Sequence, residues 1–474
     1  MSKEAKKQEH EALAVVIMAA GKGTRLKSRR PKVLHEVGGK ALLSHVIATA
    51  ERLAENNDIY TIIGHEAERV HAAMASTGVQ FIEQKEQRGT GDAIRCAREA
   101  IAGYEHILVL SGDVPLVKAE ALQHLMTLHL AEGAAMTILT AMPEDPTGYG
   151  RIVRRSPDRS DVDAIVEQKA LKGDQHSIRE INSGIYAFKV APLLKYLDKL
   201  TNNNSLGEFY LTDMAAHLHA AGEKVAALKA AEAAEVLGAN TIEELVALDA
   251  NMRMATARRL MAGGVTIFRP ETCVIDAEVE VEPDTIIEPF VQLLGKTKIG
   301  GECRIRSFSV VENCTLGANV QVLQSCVLNE SVVFDGAQIG PFARLRPGSE
   351  IGQEAHVGNF VETKKAKLGR GVKANHLTYL GDAEVGAGSN VGAGVITCNY
   401  DGMHKHPTRI GQKVFVGSDS TLVAPIEIGD GAYIGAGSCI TRNVPSGALA
   451  VGRSRQVVKE GWAAARRAAR ETHK

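Results

Sequence analysis

Gly21-Lys22-Gly23-Thr24-Arg25, followed at short range by Pro31-Lys32, is the segment of this chain best equipped to grip phosphate. A turn of small residues lets backbone N–H groups come close to a phosphate or a base edge. Arg25 and Lys32 add the positive charge that a nucleoside triphosphate demands, and Arg can hold two phosphate oxygens at once. The spacing is not that of a Walker P-loop, and no acidic residue follows at the distance a dinucleotide-binding turn requires. Ser111-Gly112-Asp113 follows a short apolar run. An Asp there is positioned to hold Mg²⁺, which takes one or two carboxylates plus substrate phosphates. Taken alone, the same Asp equally suits a turn or a helix cap.

A second set of polar residues interrupts the aliphatic carboxy-terminal half: Arg346, Lys364, His376, Tyr379, Asn390, Asn399 and Tyr400. Histidine is the side chain suited to take a proton near neutral pH. The chain has 16 of them, so composition alone does not single out His376.

The elements that must position the first set alternate strand and helix. Ala14 to Met18, Ile59 to Ile63, Val79 to Ile82 and Ile107 to Leu110 read as short buried strands, with helical stretches from Leu42 to Leu53 and from Ala93 to Ile101 between them. This alternation predicts an α/β, Rossmann-like domain with a mostly parallel sheet and helices on both faces. Its ligands belong at the carboxyl ends of the strands, where both motifs lie. Thr241 to Met261 reads as one helix, with Thr241 as N-cap, Glu244 completing a capping box and Gly263-Gly264 as the stop.

From Val265 the texture changes. Ile410, Val416, Leu422, Ile428, Ile434 and Ile440 recur at every sixth position, as do Ile339, Leu345, Ile351 and Val357 before them. Leu368, Leu380, Val385 and Val391 carry the pattern with phase shifts. A period of six fits a parallel β-helix, each hexad supplying a strand and a turn, and predicts roughly ten triangular coils. At one strand spacing per coil the prism is some 50 Å long. Cys398 to Arg409 breaks the repeat and is expected to loop out, and a short helix is expected near Trp462. The expected organisation is therefore a disordered extension over 1–12, an α/β domain over 13–240, a linker helix over 241–263, and a β-helix domain with a tail over 264–474.

Composition narrows the partners. Lys plus Arg is 55 and Asp plus Glu is 56, a net charge of −1, which argues against nucleic acid or an anionic membrane. The apolar run Ala12 to Ala20 is far shorter than the ~20 residues of a membrane span, and the charged start does not read as a signal peptide. Seven cysteines without a CxxC pair suit a reduced, cytoplasmic chain rather than a metal site. Cys398, beside the irregular loop, is the one expected to be more reactive.

Ala19-Ala20-Gly21-Lys22-Gly23-Thr24-Arg25 with Pro31-Lys32, Gly89-Thr90-Gly91, Gly112-Asp113, Gly148-Tyr149-Gly150-Arg151 and Glu167 together resemble a sugar-1-phosphate nucleotidyltransferase. With the hexads and His376-Leu-Thr-Tyr-Leu-Gly381, the chain from about residue 13 to 462 resembles the bifunctional N-acetylglucosamine-1-phosphate uridyltransferase/glucosamine-1-phosphate acetyltransferase family. It departs from the pattern in a longer charged start and in Met18, where the family usually has Leu.

The resemblance implies a left-handed β-helix and two reactions: acetyl-coenzyme A-dependent N-acetylation of glucosamine 1-phosphate, then Mg²⁺-dependent uridylyl transfer from UTP to N-acetylglucosamine 1-phosphate. It implies that Ala20, Gly21, Gln84, Gly89 and Thr90 hold the uridine, with Met18, Ala19, Ser111 and Gly112 bordering the same nucleotide-sugar site. Arg25 and Lys32 would contact phosphates, Gly150, Glu167 and Asn182 the sugar, and Asp113 and Asn240 the Mg²⁺. In the other half it implies His376 as general base, Arg346 and Lys364 as sugar-phosphate contacts, and Tyr379 and Asn390 as sugar contacts. Ala393, Asn399, Tyr400, Ser418, Ala436 and Arg453 would meet acetyl-coenzyme A. The family's members are homotrimers with sites between adjacent prisms, and their product feeds cell-wall and lipopolysaccharide synthesis. Two other readings fit the residues: a nucleotidyltransferase for another hexose phosphate with a different acyl acceptor, and a non-catalytic assembly protein that kept both folds. The joint presence of Arg25, Lys32, Asp113 and His376 argues against the second.

Overall fold

The computed structural model describes residues 13–154, 160–204 and 206–471; the extension over 1–12 lies outside them. The chain divides into two compact units, up to Met252 and from Arg253 onward, and the division falls inside the helix Ile242–Ala262.

The first unit is built on a sheet in the order Val225–Lys229, Met136–Ala141, Ile181–Lys189, His106–Ser111, Leu13–Met18, Ile59–Ile63, Gln80–Glu83. Ile181–Lys189 runs antiparallel to both its neighbours, while the other pairs in this order are parallel. Arg151–Arg154 and Val162–Val166 add an antiparallel flap off one end of Ile181–Lys189. Ala14 and Val16 face one apolar layer, which includes Ile94, Leu193 and Met214 from helices. Val15 and Ile17 face the other, which includes Leu43, Val46 and Leu122. A strand with both faces covered must be apolar throughout, which is why Ala14 to Ile17 reads as a run rather than an alternation.

Leu13–Met18 and His106–Ser111 lie side by side, with Met18 opposite Ser111. The glycine turn after Met18 and Gly112-Asp113 after Ser111 therefore leave the sheet next to one another. At the start of Ile242–Ala262, Thr241 Oγ1 accepts a hydrogen bond from the Glu244 N–H at 3.2 Å. The Glu244 carboxylate reaches the Asn240 N–H, at 2.5 Å, one residue earlier than an ordinary capping box.

The second unit winds three parallel sheets of 11, 10 and 9 strands into one prism. We term these the first face (Thr266–Ile267 to Leu449–Ala450), the second (Val274–Ile275 to Cys439–Ile440) and the third (Glu280–Val281 to Ile426–Ile428). Ile410, Val416, Leu422, Ile428, Ile434 and Ile440 all point inward and are at most 6% exposed.

The phase shifts have a single location. Beyond the first coil, where Ile267 and Ile275 are eight apart, successive inward residues stay six apart from first to second face and from third to first: Val357 to Thr363, Ala374 to Leu380, Leu368 to Ala374, Val385 to Val391. Between second and third faces the step shortens to five at Val311 to Leu316, Leu328 to Val333, Thr363 to Leu368 and Leu380 to Val385. At the same corner the chain leaves the prism after Cys398 and rejoins it at Thr408. Both deletion and insertion occur there because a corner can change length without moving an inward side chain. Trp462–Glu471 is helical, and its side chains up to Arg470 are exposed.

Candidate active sites

In the first unit a cavity of about 670 Å³ opens at the carboxyl ends of the strands. It is lined by Met18, Ala20, Gly21, Arg25, Gln84, Gly89, Thr90, Ser111, Asp113, Glu167 and Asn182 among the expected residues. Ala19, Lys32, Gly112, Gly150 and Asn240 are not on its wall. Two of these join it through charge. Lys32 Nζ lies 2.5 Å from Asp113 Oδ2 and donates to Asn240 Oδ1 at 3.0 Å. Arg25 Nη2 donates to the same Asn240 oxygen at 2.8 Å. Gly112 N–H bonds the Met18 carbonyl at 3.0 Å and so ties the two strand ends together. Gly150 accepts the Asn182 N–H at 2.9 Å, holding the flap against the strand Ile181–Lys189.

Gln84 is buried and donates to the Gly89 carbonyl (3.2 Å) and to Asp92 (3.0 Å), which fixes how its amide faces the cavity. Burial raises the Glu167 carboxyl; a hydrogen bond from Thr212 Oγ1 at 3.3 Å opposes the rise and the Asp213 charge adds to it. Sequence reasoning missed Tyr186, Tyr210 and Thr212, which line the same cavity. It also missed Gly238, where an added Cβ would sit 2.7 Å from Asp113 Oδ2. No local motif marks these residues; they arrive from distant strands and loops.

One carboxylate and one amide oxygen, Asp113 and Asn240, converge on a cationic group and could hold Mg²⁺, with substrate phosphates completing its shell. Among the described residues no group of three or more His, Cys, Asp or Glu side chains forms a metal cluster.

In the second unit the candidates fall on two edges. Asn359 and His376 are in register on the first face. Ala393, Ser418 and Ala436 follow in later coils at the same corner, where Asp419 N–H bonds the Ala393 carbonyl (2.7 Å) and Gly437 N–H the Ser418 carbonyl (2.8 Å). Arg453 lies beside Gly437 at the next level. The expected base and four of the expected coenzyme contacts thus share one edge. A groove of about 410 Å³ beside it is lined by His356, Asn359, Asn375 and His376.

Lys364, Asp382 and Asn399 occupy the corner between second and third faces. Asn399 Nδ2 donates to Asp382 Oδ2, and Lys364 Nζ is 4.0 Å from the same oxygen. The neighbouring Lys405 ammonium, with burial, pushes Lys364 below the ordinary lysine range. Arg346 pairs with Glu362 at 3.0 Å on the second face, which also carries Tyr379; Asn390 is on the first, and Tyr400 lies in the excursion, half exposed. Within one chain His376 and Lys364 therefore border opposite edges of one face. A concavity of about 790 Å³ along the third face contains none of the expected residues; its rim is a ladder of opposite charges that includes Lys367, Glu384, Arg409 and Glu427. Burial raises the Cys398 thiol, contrary to the reactivity expected of it.

Comparison with known proteins agrees with both folds. Residues 15–182 match the MobA-like NTP transferase domain, and residues 407–442 match the bacterial transferase hexapeptide (six repeats). A protein of Koribacter versatilis (strain Ellin345) described as bifunctional protein GlmU is 59% identical over 462 residues, covering 97% of this chain and 98% of that protein. Proteins of the same description from Solibacter usitatus (strain Ellin6076) and Stutzerimonas stutzeri (strain A1501) are 50% and 48% identical, covering 96% and 95% of this chain and 98% of each relative.

Proposed function

Because the chain belongs to the bifunctional protein GlmU family, we propose which of its residues carry the two reactions and in what order. It is a transferase with both an acetyltransferase and a uridyltransferase activity. Residues 13–240 carry uridylyl transfer, 241–263 link the halves, and 264–474 carry acetyl transfer. Acetylation of glucosamine 1-phosphate comes first, and its product then receives the uridylyl group, giving UDP-N-acetylglucosamine for cell-wall and lipopolysaccharide synthesis. The observation that carries the reading is the convergence of Arg25, Lys32, Asp113 and Asn240 beside a cavity whose far wall holds Glu167 and Asn182.

In the first reaction the amine of glucosamine 1-phosphate attacks the thioester carbonyl of acetyl-coenzyme A. His376 takes the amine proton as the C–N bond forms, the C–S bond breaks, and the coenzyme leaves as its thiolate, which takes up a proton to give the free thiol. Lys364, with Arg346, holds the sugar phosphate, and Tyr379 and Asn390 hold the sugar. Ala393, Asn399, Tyr400, Ser418, Ala436 and Arg453 hold the coenzyme. In the second reaction a phosphate oxygen of the sugar attacks the α-phosphorus of UTP in line, and pyrophosphate leaves. Arg25 and Lys32 bind the phosphates, offsetting the repulsion between two anions; Gln84, Gly89 and Thr90 orient the uracil, and Glu167, Asn182 and Gly150 the sugar. Bound at Asp113 and Asn240, Mg²⁺ would supply further charge neutralisation.

Each face is one hexad wide, roughly 15–20 Å, so one sugar phosphate cannot touch both Lys364 and His376 of the same chain. That separation supports a homotrimer in which adjacent prisms complete each site. The exposed column Phe290, Phe308, Phe342, Phe360 and Leu377 is apolar surface that a neighbouring copy would cover. Seven free cysteines support a cytoplasmic location, and no described helix is long and apolar enough to cross a membrane.

The test is a coupled assay with glucosamine 1-phosphate, acetyl-coenzyme A, UTP and Mg²⁺, following free thiol and pyrophosphate. His376→Ala is expected to abolish thiol release while pyrophosphate release from supplied N-acetylglucosamine 1-phosphate survives, and Asp113→Ala to do the reverse. Loss of both activities in either variant, or of neither, would overturn the assignment.

A further inference from the structure

Lys32 occupies an unusual position for a phosphate-binding residue. Its Nζ is 2.5 Å from Asp113 Oδ2 and 3.0 Å from Asn240 Oδ1, so it bridges the two oxygens read above as the metal ligands. The side chain is held there. It is only 15% exposed, and its stem passes so close under the glycine turn that a Cβ on Gly23 would lie 2.6 Å from Lys32 Cβ. Arg25 adds a second cation on the Asn240 oxygen, at 2.8 Å.

A divalent ion bound to these oxygens at about 2.0–2.1 Å would lie within the space the ammonium fills. The two cannot share it, by volume or by charge. We propose that Lys32 is a placeholder cation: it neutralises Asp113 in the nucleotide-free enzyme and keeps divalent metal out until a triphosphate draws it away. A triphosphate offers Lys32 and Arg25 richer acceptors than a single carboxylate and an amide. When they turn to it, Asp113 and Asn240 are released to the metal, so metal and nucleotide bind as a coupled pair. The placeholder also spares the free enzyme an unpaired, largely shielded carboxylate. This inference rests on the reading of Asp113 and Asn240 as the metal pair, and the experiment separates failure of the one from failure of the other.

Mn²⁺ binding to the full chain is measured without nucleotide by the electron paramagnetic resonance signal of free Mn²⁺. Lys32→Met is expected to bind Mn²⁺ about tenfold or more tightly than wild type, because a unit positive charge has left the ion's position. Lys32→Gln, which keeps a polar head, is expected to do the same and serves if Lys32→Met does not fold. Equal Mn²⁺ affinity in wild type and the folded variant would overturn the placeholder role. Adding Asp113→Asn to the folded Lys32 variant is expected to remove the gained binding. Gained binding that persists there would instead overturn the Asp113–Asn240 metal reading.

Discussion

Asn182 donates from Nδ2 to the phenolic oxygen of Tyr186, 2.8 Å away, although both belong to the single strand Ile181–Lys189. In a regular strand, residues four apart stand about 13 Å from one another. A register shift between Asn182 and Ile185 shortens the strand locally, and the long Tyr186 side chain spans the remaining gap. Gly184 sits inside the shift at φ +79°, and an added Cβ would meet Ser111 Oγ at 2.8 Å. Tyr186 thus holds the amide of Asn182 in place on the cavity wall. Tyr186→Phe is expected to raise KM for N-acetylglucosamine 1-phosphate roughly tenfold, the worth of one hydrogen bond to a buried polar group. Steady-state uridylyl transfer reads the change, and acetyl transfer by the same preparation stays at wild-type rate.

Arg154 and Glu180 form a two-pronged ion pair, with Nε–Oε2 at 2.7 Å and Nη2–Oε1 at 2.6 Å, and both side chains are at most 15% exposed. Burial alone would raise the Glu180 carboxyl, yet the hydrogen bonds from Arg154 and Thr140 and the Arg154 charge hold it below its ordinary range. Arg154→Met strands a buried carboxylate and is expected to cost about 3–5 kcal/mol. Adding Glu180→Leu should return most of that loss. Denaturant unfolding followed through the first transition distinguishes the two.

His106 and His129 are buried against each other, with Nδ1 and Nε2 3.1 Å apart, and His129 Nδ1 lies 2.9 Å from Thr137 Oγ1. Burial, then the His106 and Lys189 charges, lowers the His129 imidazole to about 4. Its folded value lies below the ordinary value near 6.5, so between those limits the unfolded chain binds the proton and the folded chain does not. Stability of the first unit is therefore complete above about pH 6.5 and falls toward pH 4, by about 3 kcal/mol from this residue. Thermal unfolding across that range shows the slope, and His129→Gln should flatten it.

Asp401 closes the excursion that leaves the prism after Cys398. Its carboxylate accepts the Met403 and His404 N–H groups at 2.8 and 2.6 Å and lies 2.8 Å from His406 Nε2. Those N–H groups, the His404 one foremost, and His406 hold it well below the usual carboxylate range. The same excursion carries Asn399 to Asp382 and Lys405 to Lys364. Asp401→Ala is expected to raise KM for glucosamine 1-phosphate roughly tenfold by misplacing Lys405. Asp401→Asn, which keeps an acceptor for the two N–H groups, should recover part of it. Thiol-release kinetics check both, and an unchanged KM in Asp401→Ala would refute the link.

The fold was legible because repetition and alternation are one-dimensional signals. A buried residue every sixth position can face a common axis only if the chain coils with three strands per turn. The shortened steps at Thr363 to Leu368 and Leu380 to Val385 were visible as phase shifts, but their common location at one corner was not, since a linear pattern does not number the corners. Motif residues such as Gly21, Arg25 and Asp113 were legible because they are local to strand ends. Tyr186, Tyr210, Thr212 and Gly238 were not, since each reaches the cavity only through a bulge or a long connection.

The chain's own order of residues determined two architectures, a glycine turn and an Asp at adjacent strand ends, and a hexad column bearing His376. Only the tertiary structure decided that Lys32 bridges Asp113 and Asn240, and that His376 and Lys364 border different edges of a face. Periodicity constrains which way a side chain faces, because the backbone repeats. It does not constrain which distant side chain it meets, because that depends on how sheets, corners and bulges close in space.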